Sequence, residues 1–238
     1  MSQEDVVIEV GPGKGALTEL LAGVCKKVIA IELDDRLIPV LQEKFKDNDN
    51  VEIVHGDILK LNLPELIMNQ GLDSGGYKVV ANLPYYITSP IIRLFLETKL
   101  SPSEMIFMVQ KEVAERITAK PGEMSILAVS VQYYALAQFL FTVFKESFEP
   151  VPKVDSAIIH VAYNTLNVAK DKDEVKKFFR IVKSGFSAKR KTLINNLNNS
   201  LHIDKKEIEE KLLSIGFPAN TRAQELRVED WKKLSDRL

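Results

Sequence analysis

One cysteine and three histidines are all that this 238-residue chain offers of the side chains that staple small folds or hold soft metals. Cys25 alone excludes an internal disulfide and suits a reducing compartment, so the expected location is the cytoplasm. His55, His160 and His202 are widely separated and, with a single thiol, make no ligand-spaced set, so no metal site is expected. An excess of charge of either sign is missing too: 32 basic residues against 33 acidic ones leave a net charge of −1, which excludes a blanket polyanion binder. The opening residues, Met1-Ser-Gln-Glu-Asp, are polar and acidic and carry no secretory signal, and the chain has no internal repeat or low-complexity tract. Its longest uncharged stretch, Met124 to Phe144, contains Ser125, Ser130, Gln132 and Gln138. These polar residues argue against a membrane span and for a buried helix passing into a buried strand.

What is present begins with Val6-Val-Ile-Glu-Val, an apolar run that enters Gly11-Pro-Gly-Lys-Gly15 and then Ala16-Leu-Thr-Glu-Leu-Leu-Ala, whose apolar residues have helical spacing. Strand, glycine-rich turn and helix in that order let backbone approach a ligand closely and present free N–H groups to it. A second strand, Lys27-Val-Ile-Ala-Ile, ends at Glu32, 21 positions after Gly11. A carboxylate at that distance sits at the tip of the neighbouring strand, where it can accept from both hydroxyls of a ribose. A third strand, from Val51, ends in Gly56-Asp57 and puts another carboxylate where an adenine amino group could be recognised. A dinucleotide cofactor normally wants Gly-x-Gly-x-x-Gly. Gly-x-Gly-x-Gly after Glu9 is the pattern typical of S-adenosylmethionine enzymes, so the spacing favours that sulfonium cofactor over nicotinamide-dependent oxidoreduction, the rival on the same sheet.

A second motif follows the apolar run Tyr77-Lys-Val-Val-Ala: Asn82-Leu-Pro-Tyr. The Asn82 side chain and the Leu83 backbone each offer an oxygen, Pro84 fixes the local φ and removes a competing donor, and Tyr85 offers a stacking face. An exocyclic amine of a planar base fits such a turn. The amine's lone pair is delocalised into the ring, so two acceptors on its N–H bonds would favour a pyramidal nitrogen aimed at a methyl donor. Asn82 is an amide and cannot serve as a base. Tyr86, Tyr133 and Tyr134 are taken as packing residues.

Taken with Val109-Gln-Lys-Glu-Val-Ala-Glu-Arg, Phe148-Glu-Pro-Val-Pro-Lys-Val-Asp-Ser-Ala, Gly185-Phe-Ser-Ala-Lys-Arg-Lys-Thr-Leu and Arg222-Ala-Gln-Glu-Leu, these motifs closely resemble the rRNA adenine N6-dimethyltransferase family, along nearly the whole chain. Asn-Leu-Pro-Tyr and Pro-Lys-Val-Asp-Ser resemble its KsgA-type small-subunit branch more than the macrolide-resistance branch that acts on the large subunit. The resemblance implies a Rossmann-like α/β sheet binding S-adenosylmethionine, a small all-helical C-terminal domain, and dimethylation of two adjacent adenosines in a hairpin loop near the 3′ end of small-subunit (16S) rRNA. It implies cofactor contacts from Glu9, Gly11, Pro12, Gly13, Gly15, Glu32, Leu33, Gly56, Asp57, Ile58 and Asn82, and catalysis at Asn82, Leu83, Pro84 and Tyr85 with Phe148 closing on the target base. The implied partners are the rRNA and the pre-30S particle, met by a monomer. The family normally carries a basic segment with Gln-Asn-Phe-Leu before the first strand, whereas this chain starts at that strand. A shortened chain, weaker in cofactor binding or reduced to an RNA-binding assembly factor, is therefore the alternative expectation.

Strand and helix signals alternate through residue 164, with Ala157 to Tyr163 as a late strand and Phe139 to Phe144 as its hairpin partner. Asn164 to Glu174 reads as a linker, which divides the chain into a catalytic domain, 1–164, and a helical rRNA-recognition domain, 165–238. Asp204 with Glu207 forms a capping box, Gly216 ends the helix it starts, and Trp231 anchors the last helix. Lys183 to Asn199 holds Lys183, Lys189, Arg190 and Lys191 and no acidic residue; with Lys153 and Lys111 these are the candidate phosphate contacts.

Overall fold

The structure, a computed structural model, describes residues 1–84, 87–164 and 172–238. They form two compact units: Met1–Ala114 with Ala135–Tyr163, and Glu115–Tyr134 with Asn164–Leu238. A single cut after residue 164 differs from this in one respect, since residues 115–134 pack with the C-terminal helices.

In the first unit, strands and helices alternate: β1 (Val6–Val10), α1 (Ala16–Ala22), β2 (Lys27–Glu32), α2 (Ile38–Lys44), β3 (Val51–His55), α3 (Leu63–Asn69), β4 (Lys78–Asn82), α4 (Thr88–Glu97), β5 (Glu104–Gln110) and the start of α5 (Lys111–Ile117). After α6 (Ile126–Tyr134), which belongs to the second unit, β6 (Ala135–Val143) and β7 (Ser156–Tyr163) complete a seven-stranded sheet in the order β3-β2-β1-β4-β5-β7-β6. The first five strands are parallel, and β7 lies antiparallel between β5 and β6. Parallel strands covered on both faces must be apolar throughout, and Val7, Ile8, Val28, Ile29, Val79, Phe107 and Val109 are fully buried. Cys25 lies in one of these packed layers with Val7, Leu21, Val28 and Val80, where burial pushes its thiol above the ordinary range and leaves it inert.

The strand order reverses between β1 and β4, which are hydrogen-bonded neighbours with Val10 opposite Ala81. At such a reversal the loops leaving the two strands splay to opposite faces and open a crevice outside their carboxyl ends. The glycine turn and the Asn82 turn, some seventy residues apart in sequence, thus end on either side of one crevice.

The expected 139–144/157–163 hairpin is formed by β6 and β7, with a register shift between Phe139 and Phe141. The expectation of a buried strand at its first arm is corrected. Lying at the sheet edge, β6 has one face open, and Leu136, Leu140, Phe141 and Phe144 are exposed. Among the described residues no helix is long and apolar enough to cross a membrane.

At the amino edge of the sheet an ionic row runs across three strands: Lys78 Nζ lies 3.1 Å from Asp5 Oδ1 and 2.6 Å from Glu104 Oε1, and Glu104 Oε2 lies 2.6 Å from His160 Nε2. The Lys78 hydrogen bond, opposed by partial burial and helped by His160, holds the Glu104 carboxyl below its ordinary 4.5. A carboxyl depressed on folding stabilises the protein above its unfolded pKa, and that contribution is lost as pH falls through the folded value. Glu104→Gln is therefore expected to cost about 1 kcal/mol at pH 7, as a partly buried pair should. In urea titrations the difference from wild type should shrink as pH falls below the ordinary 4.5 and vanish once the carboxyl is protonated in the folded protein. A gap that persisted unchanged at low pH would count against this account.

The second unit is helical: α6, α7 (Lys172–Gly185), α8 (Leu193–Leu201), α9 (Lys205–Ser214) and α10 (Val228–Arg237). Lys172 to Glu174 thus belong to α7 rather than to a linker, with Asp173 and Glu174 in the first turn, where their charge suits the helix dipole. Tyr133, taken as a packing residue, lies in an aromatic cluster with Tyr134, Phe178 and Phe179. Asp204 caps α9, but its carboxylate accepts from the N–H of Lys206 instead of completing a box with Glu207; Gly216, at φ 89°, follows the helix end. Trp231 of α10 is fully buried, with its ring against Phe186 and Gly185.

Candidate active site

The three glycines of the first turn all have positive φ, 71° at Gly11, 60° at Gly13 and 77° at Gly15, but they do different work. A Cβ placed on Gly11 or Gly13 would meet nothing within 4 Å, so these two leave open space above the turn. On Gly15 it would fall 2.6 Å from Phe45 Cε2, so this glycine lets α1 start against the chain that follows α2. Lys44 reinforces that junction, donating to the Gly15 carbonyl at 3.2 Å and pairing with Glu19 at 2.9 Å. Pro12 is buried.

Glu32 ends β2 with its carboxylate buried in backbone donors. Oε1 accepts from the N–H groups of Leu33 (2.8 Å) and Asp34 (2.9 Å), and Oε2 accepts from Gly13 N–H at 3.0 Å. The carboxylate therefore ties the turn after β1 to the turn after β2. Backbone bonds add to this: Gly11 N–H to the Ile31 carbonyl at 3.0 Å and Gly56 N–H to the Glu32 carbonyl at 2.8 Å. Each carboxylate oxygen has two lone pairs, so Oε2 retains one for a ligand hydroxyl. Leu33 beside it is 60% exposed, an apolar surface beside the crevice that a flat ring can cover.

Glu9, one residue before the end of β1, is 2% exposed, and its carboxylate accepts the Thr18 hydroxyl at 2.6 Å. Burial raises its pKa above the ordinary 4.5, the Thr18 bond opposes that shift, and the charge of Glu32 adds to it. For an acid raised on folding, ionisation costs stability as pH climbs from the unfolded value, so the penalty is present at neutral pH and absent near pH 4. Glu9→Gln keeps an acceptor for Thr18 and should raise the stability of the ligand-free protein by roughly 0.5–2 kcal/mol at pH 7, and not at pH 4. Differential scanning calorimetry at both pH values checks this, and a destabilised variant at pH 7 would refute it. Thr18 carries no sequence signal of its own; only the packing of α1 on β1 brings it to Glu9.

Just after β3, Gly56 lies against Leu61, whose Cδ2 would be 3.0 Å from an added Cβ. Asp57 Oδ1 accepts from Leu59 N–H at 3.0 Å, and Oδ2 lies 3.4 Å from Lys60 Nζ, so part of this carboxylate shapes its own turn. Ile58 is buried.

Asn82 is the last residue of β4, paired in register with Met108, and is exposed. Its side-chain amide has no hydrogen-bond partner among the described residues. The next peptide is fixed: Leu83 N–H donates to the Met108 carbonyl at 3.1 Å and the Leu83 side chain is buried. The Pro84 carbonyl accepts from Ile87 N–H at 3.1 Å and from the Thr88 hydroxyl at 3.4 Å, which ties the turn to α4. Tyr85, the expected stacking face, lies outside the described residues, as does Tyr86.

Phe148 is half-buried in the β6–β7 connection, which leaves and re-enters the sheet at the carboxyl edge of the parallel strands. Lys111 N–H donates to the Asp155 carbonyl at 3.0 Å, so Lys111 and the connection carrying Phe148 and exposed Lys153 meet at the end of β5, next to β4. Lys189, Arg190 and Lys191 are exposed in the second unit.

An open glycine cradle, three carboxylates and exposed Leu33 suit a nucleoside cofactor that bears positive charge. Glu9, Gly11, Gly13, Glu32, Leu33 and Asp57 are the residues that would hold it. This strand order with that cradle defines a Rossmann-like methyltransferase of the S-adenosylmethionine-dependent class. The family model for ribosomal RNA adenine dimethylase matches residues 1–238, and the chain belongs to that family. It is 47% identical over 230 residues to ribosomal RNA small subunit methyltransferase A of Dehalococcoides mccartyi strain CBDB1, across 97% of this chain and 77% of that protein. Among solved structures, 23S rRNA methyltransferase ErmE superposes with a TM-score of 0.79 at 27% identity, covering 100% of this chain and 92% of that one. A dimethyladenosine transferase from Plasmodium falciparum gives 0.78 at 27% identity, covering 98% and 90%.

Proposed function

We propose that this protein transfers methyl groups from S-adenosylmethionine to the N6 amino groups of two adjacent adenosines in a 3′-terminal hairpin loop of small-subunit rRNA, giving N6,N6-dimethyladenosine during maturation of the pre-30S particle, and that it does so in the cytoplasm as a monomer. The observation that carries this reading is the register of β1 on β4, which sets the Asn82 amide, unpartnered among the described residues, beside the glycine cradle. The level of identity favours the small-subunit target, at 47% with a small-subunit relative against 27% with a large-subunit enzyme.

The bound cofactor supplies an electrophilic methyl group on a positively charged sulfur. The chain supplies alignment. Asn82 Oδ1 and the Leu83 carbonyl accept the two N–H bonds of the amine, localise its lone pair and direct it into the crevice. Leu83 can hold its carbonyl steady because its own N–H is bound to Met108. No side chain at the turn is a base, so the proton of the cationic product nitrogen leaves to water or to a neighbouring carbonyl. A purine within RNA must first leave its stack, and an aromatic face worth about 1–3 kcal/mol per base compensates part of that cost; Tyr85 and Phe148 fill this role. After the first transfer one N–H remains, so the second round proceeds with one acceptor contact fewer. Lys111 and Lys153 at the edge of the sheet, and the basic run of the second unit, contact phosphate.

The test is methyl transfer from labelled S-adenosylmethionine to undermethylated small and large ribosomal subunits, with nucleoside analysis of the product. Dimethyladenosine in the small subunit alone is the expected result. Label only in the large subunit would overturn the target, and no label in either would overturn the activity.

A further inference from the structure

The loop joining α7 to α8 holds its basic residues in a fixed shape, and the part that fixes it is a buried amide. Asn196, in the first turn of α8, is 1% exposed. Its Nδ2 donates to the Gly185 carbonyl at 2.6 Å and to the Ala188 carbonyl at 3.0 Å. The Ala188 carbonyl also accepts from Lys191 N–H at 3.1 Å, closing a four-residue turn with Lys189 and Arg190 at its two central positions. The far end of the bracket is closely packed, since a single added carbon on Gly185 would lie 2.4 Å from Trp231 Cη2 and 2.8 Å from Leu193 Cδ1.

Asn196 does this at its own expense: its Oδ1 is buried with no hydrogen-bond partner among the described residues. A buried unpaired carbonyl costs free energy that a leucine of similar size would not incur at that atom, so what the asparagine alone contributes is its two donors to the loop. Three of the four N–H groups in the first turn of α8 are meanwhile occupied. Leu193 N–H donates to the Thr221 carbonyl at 2.8 Å, Asn195 N–H to Thr192 Oγ1 at 3.4 Å, and Asn196 N–H to the Thr192 carbonyl at 3.1 Å. Little of the helix start is left for an anion, and the charged side chains of the loop are the main donors on offer. Lys189, Arg190 and Lys191 are exposed and, among the described residues, paired with no carboxylate.

We infer that Asn196 is a positioning residue for RNA recognition: by holding the carbonyls of Gly185 and Ala188 it sets the turn that aims Lys189, Arg190 and Lys191 at backbone phosphates. A turn already in its binding shape spares the ordering cost that a loose loop would incur on association. This inference rests on the reading that the protein binds rRNA.

The test compares wild type, Asn196→Leu, Asn196→Ser and the triple variant Lys189→Gln/Arg190→Gln/Lys191→Gln. Binding to undermethylated small ribosomal subunits is measured between about 50 and 200 mM salt, where affinity falls with the number of phosphates neutralised. The triple variant should flatten the log Kd against log salt slope by about 2–3, as expected for three lost contacts. Asn196→Leu should raise Kd about tenfold and flatten the slope by about 1–2, with its three cations intact but no longer aligned. Asn196→Ser, keeping one donor, should fall between. Affinity for S-adenosylmethionine, measured calorimetrically on the same samples, should stay unchanged in all of them. Wild-type affinity and slope in both Asn196 variants, with a weakened triple variant, would overturn the positioning role alone. A triple variant that bound like wild type would overturn this inference together with rRNA contact by the basic run. Loss of amide hydrogen-exchange protection throughout α7, α8 and α10 in step with RNA binding would mark Asn196 as merely structural and overturn the inference as well.

Discussion

Asn82→Ala is expected to lower the rate of methyl transfer by roughly 10²–10³-fold, the usual cost of removing one preorganised group that acts on the reacting atoms. Folding should be untouched, since Asn82 is exposed and its amide is bonded to nothing among the described residues. Affinity for S-adenosylmethionine should change little, because the cradle, Glu32 and Asp57 lie at the ends of other strands. The loss should appear in single-turnover rates rather than in the concentration of cofactor needed for half-saturation. Asn82→Asp, which keeps an acceptor at that position, should lose less. Near-normal turnover in the alanine variant would mean that the amine is not held by two oxygens and that the mechanism is wrong.

The second large effect is at Glu32. Glu32→Ala removes the acceptor of three backbone N–H groups at once, those of Gly13, Leu33 and Asp34, together with the lone pair left for a ribose hydroxyl. Hydrogen bonds to a charged group contribute about 1.5–3 kcal/mol each when lost with burial, so the cradle should loosen and cofactor affinity should fall by roughly 100-fold or more. Calorimetric titration gives the affinity, and the thermal shift on adding S-adenosylmethionine should largely disappear. Glu32→Gln separates the two roles: its amide nitrogen meets a donor wherever it faces Gly13 or Leu33, so the cradle is disturbed although the volume is kept. If Glu32→Ala bound the cofactor as tightly as wild type, Glu32 would be a strand cap and nothing more.

Much of this site could be read in the chain because each motif sits at the end of a short apolar run bounded by turn residues, the pattern of a parallel strand buried on both faces. Val6–Val10, Lys27–Glu32, Val51–His55 and Lys78–Asn82 each end within a motif or on the residue just before one. Sequence could not distinguish the three glycines, which differ only in what lies above them: open space over Gly11 and Gly13, and the Phe45 ring over Gly15. Nor could it show that Glu32 is already engaged by Gly13, since that bond joins residues 19 positions apart across two strands. The apolar residues of β6 predict a buried strand, but burial of a strand depends on what lies beside it, and beside β6 the sheet ends. The grouping of residues 115–134 with the C-terminal helices was hidden for a similar reason. Tyr133 finds its partners in Phe178 and Phe179, and no local pattern announces a contact across more than forty residues of chain.

By itself the sequence determined the class of fold, the glycine turn, the carboxylates at the strand tips and the Asn82 turn, because these follow from local rules: which backbone needs glycine, which runs must be buried, which side chains accept a hydrogen bond. Only the tertiary structure decided that the two motifs face one crevice, that Glu9 sits buried on Thr18, and that Asn196 steadies the basic turn. Those depend on strand order and helix packing, which bring together residues whose separation along the chain says nothing about their distance in space.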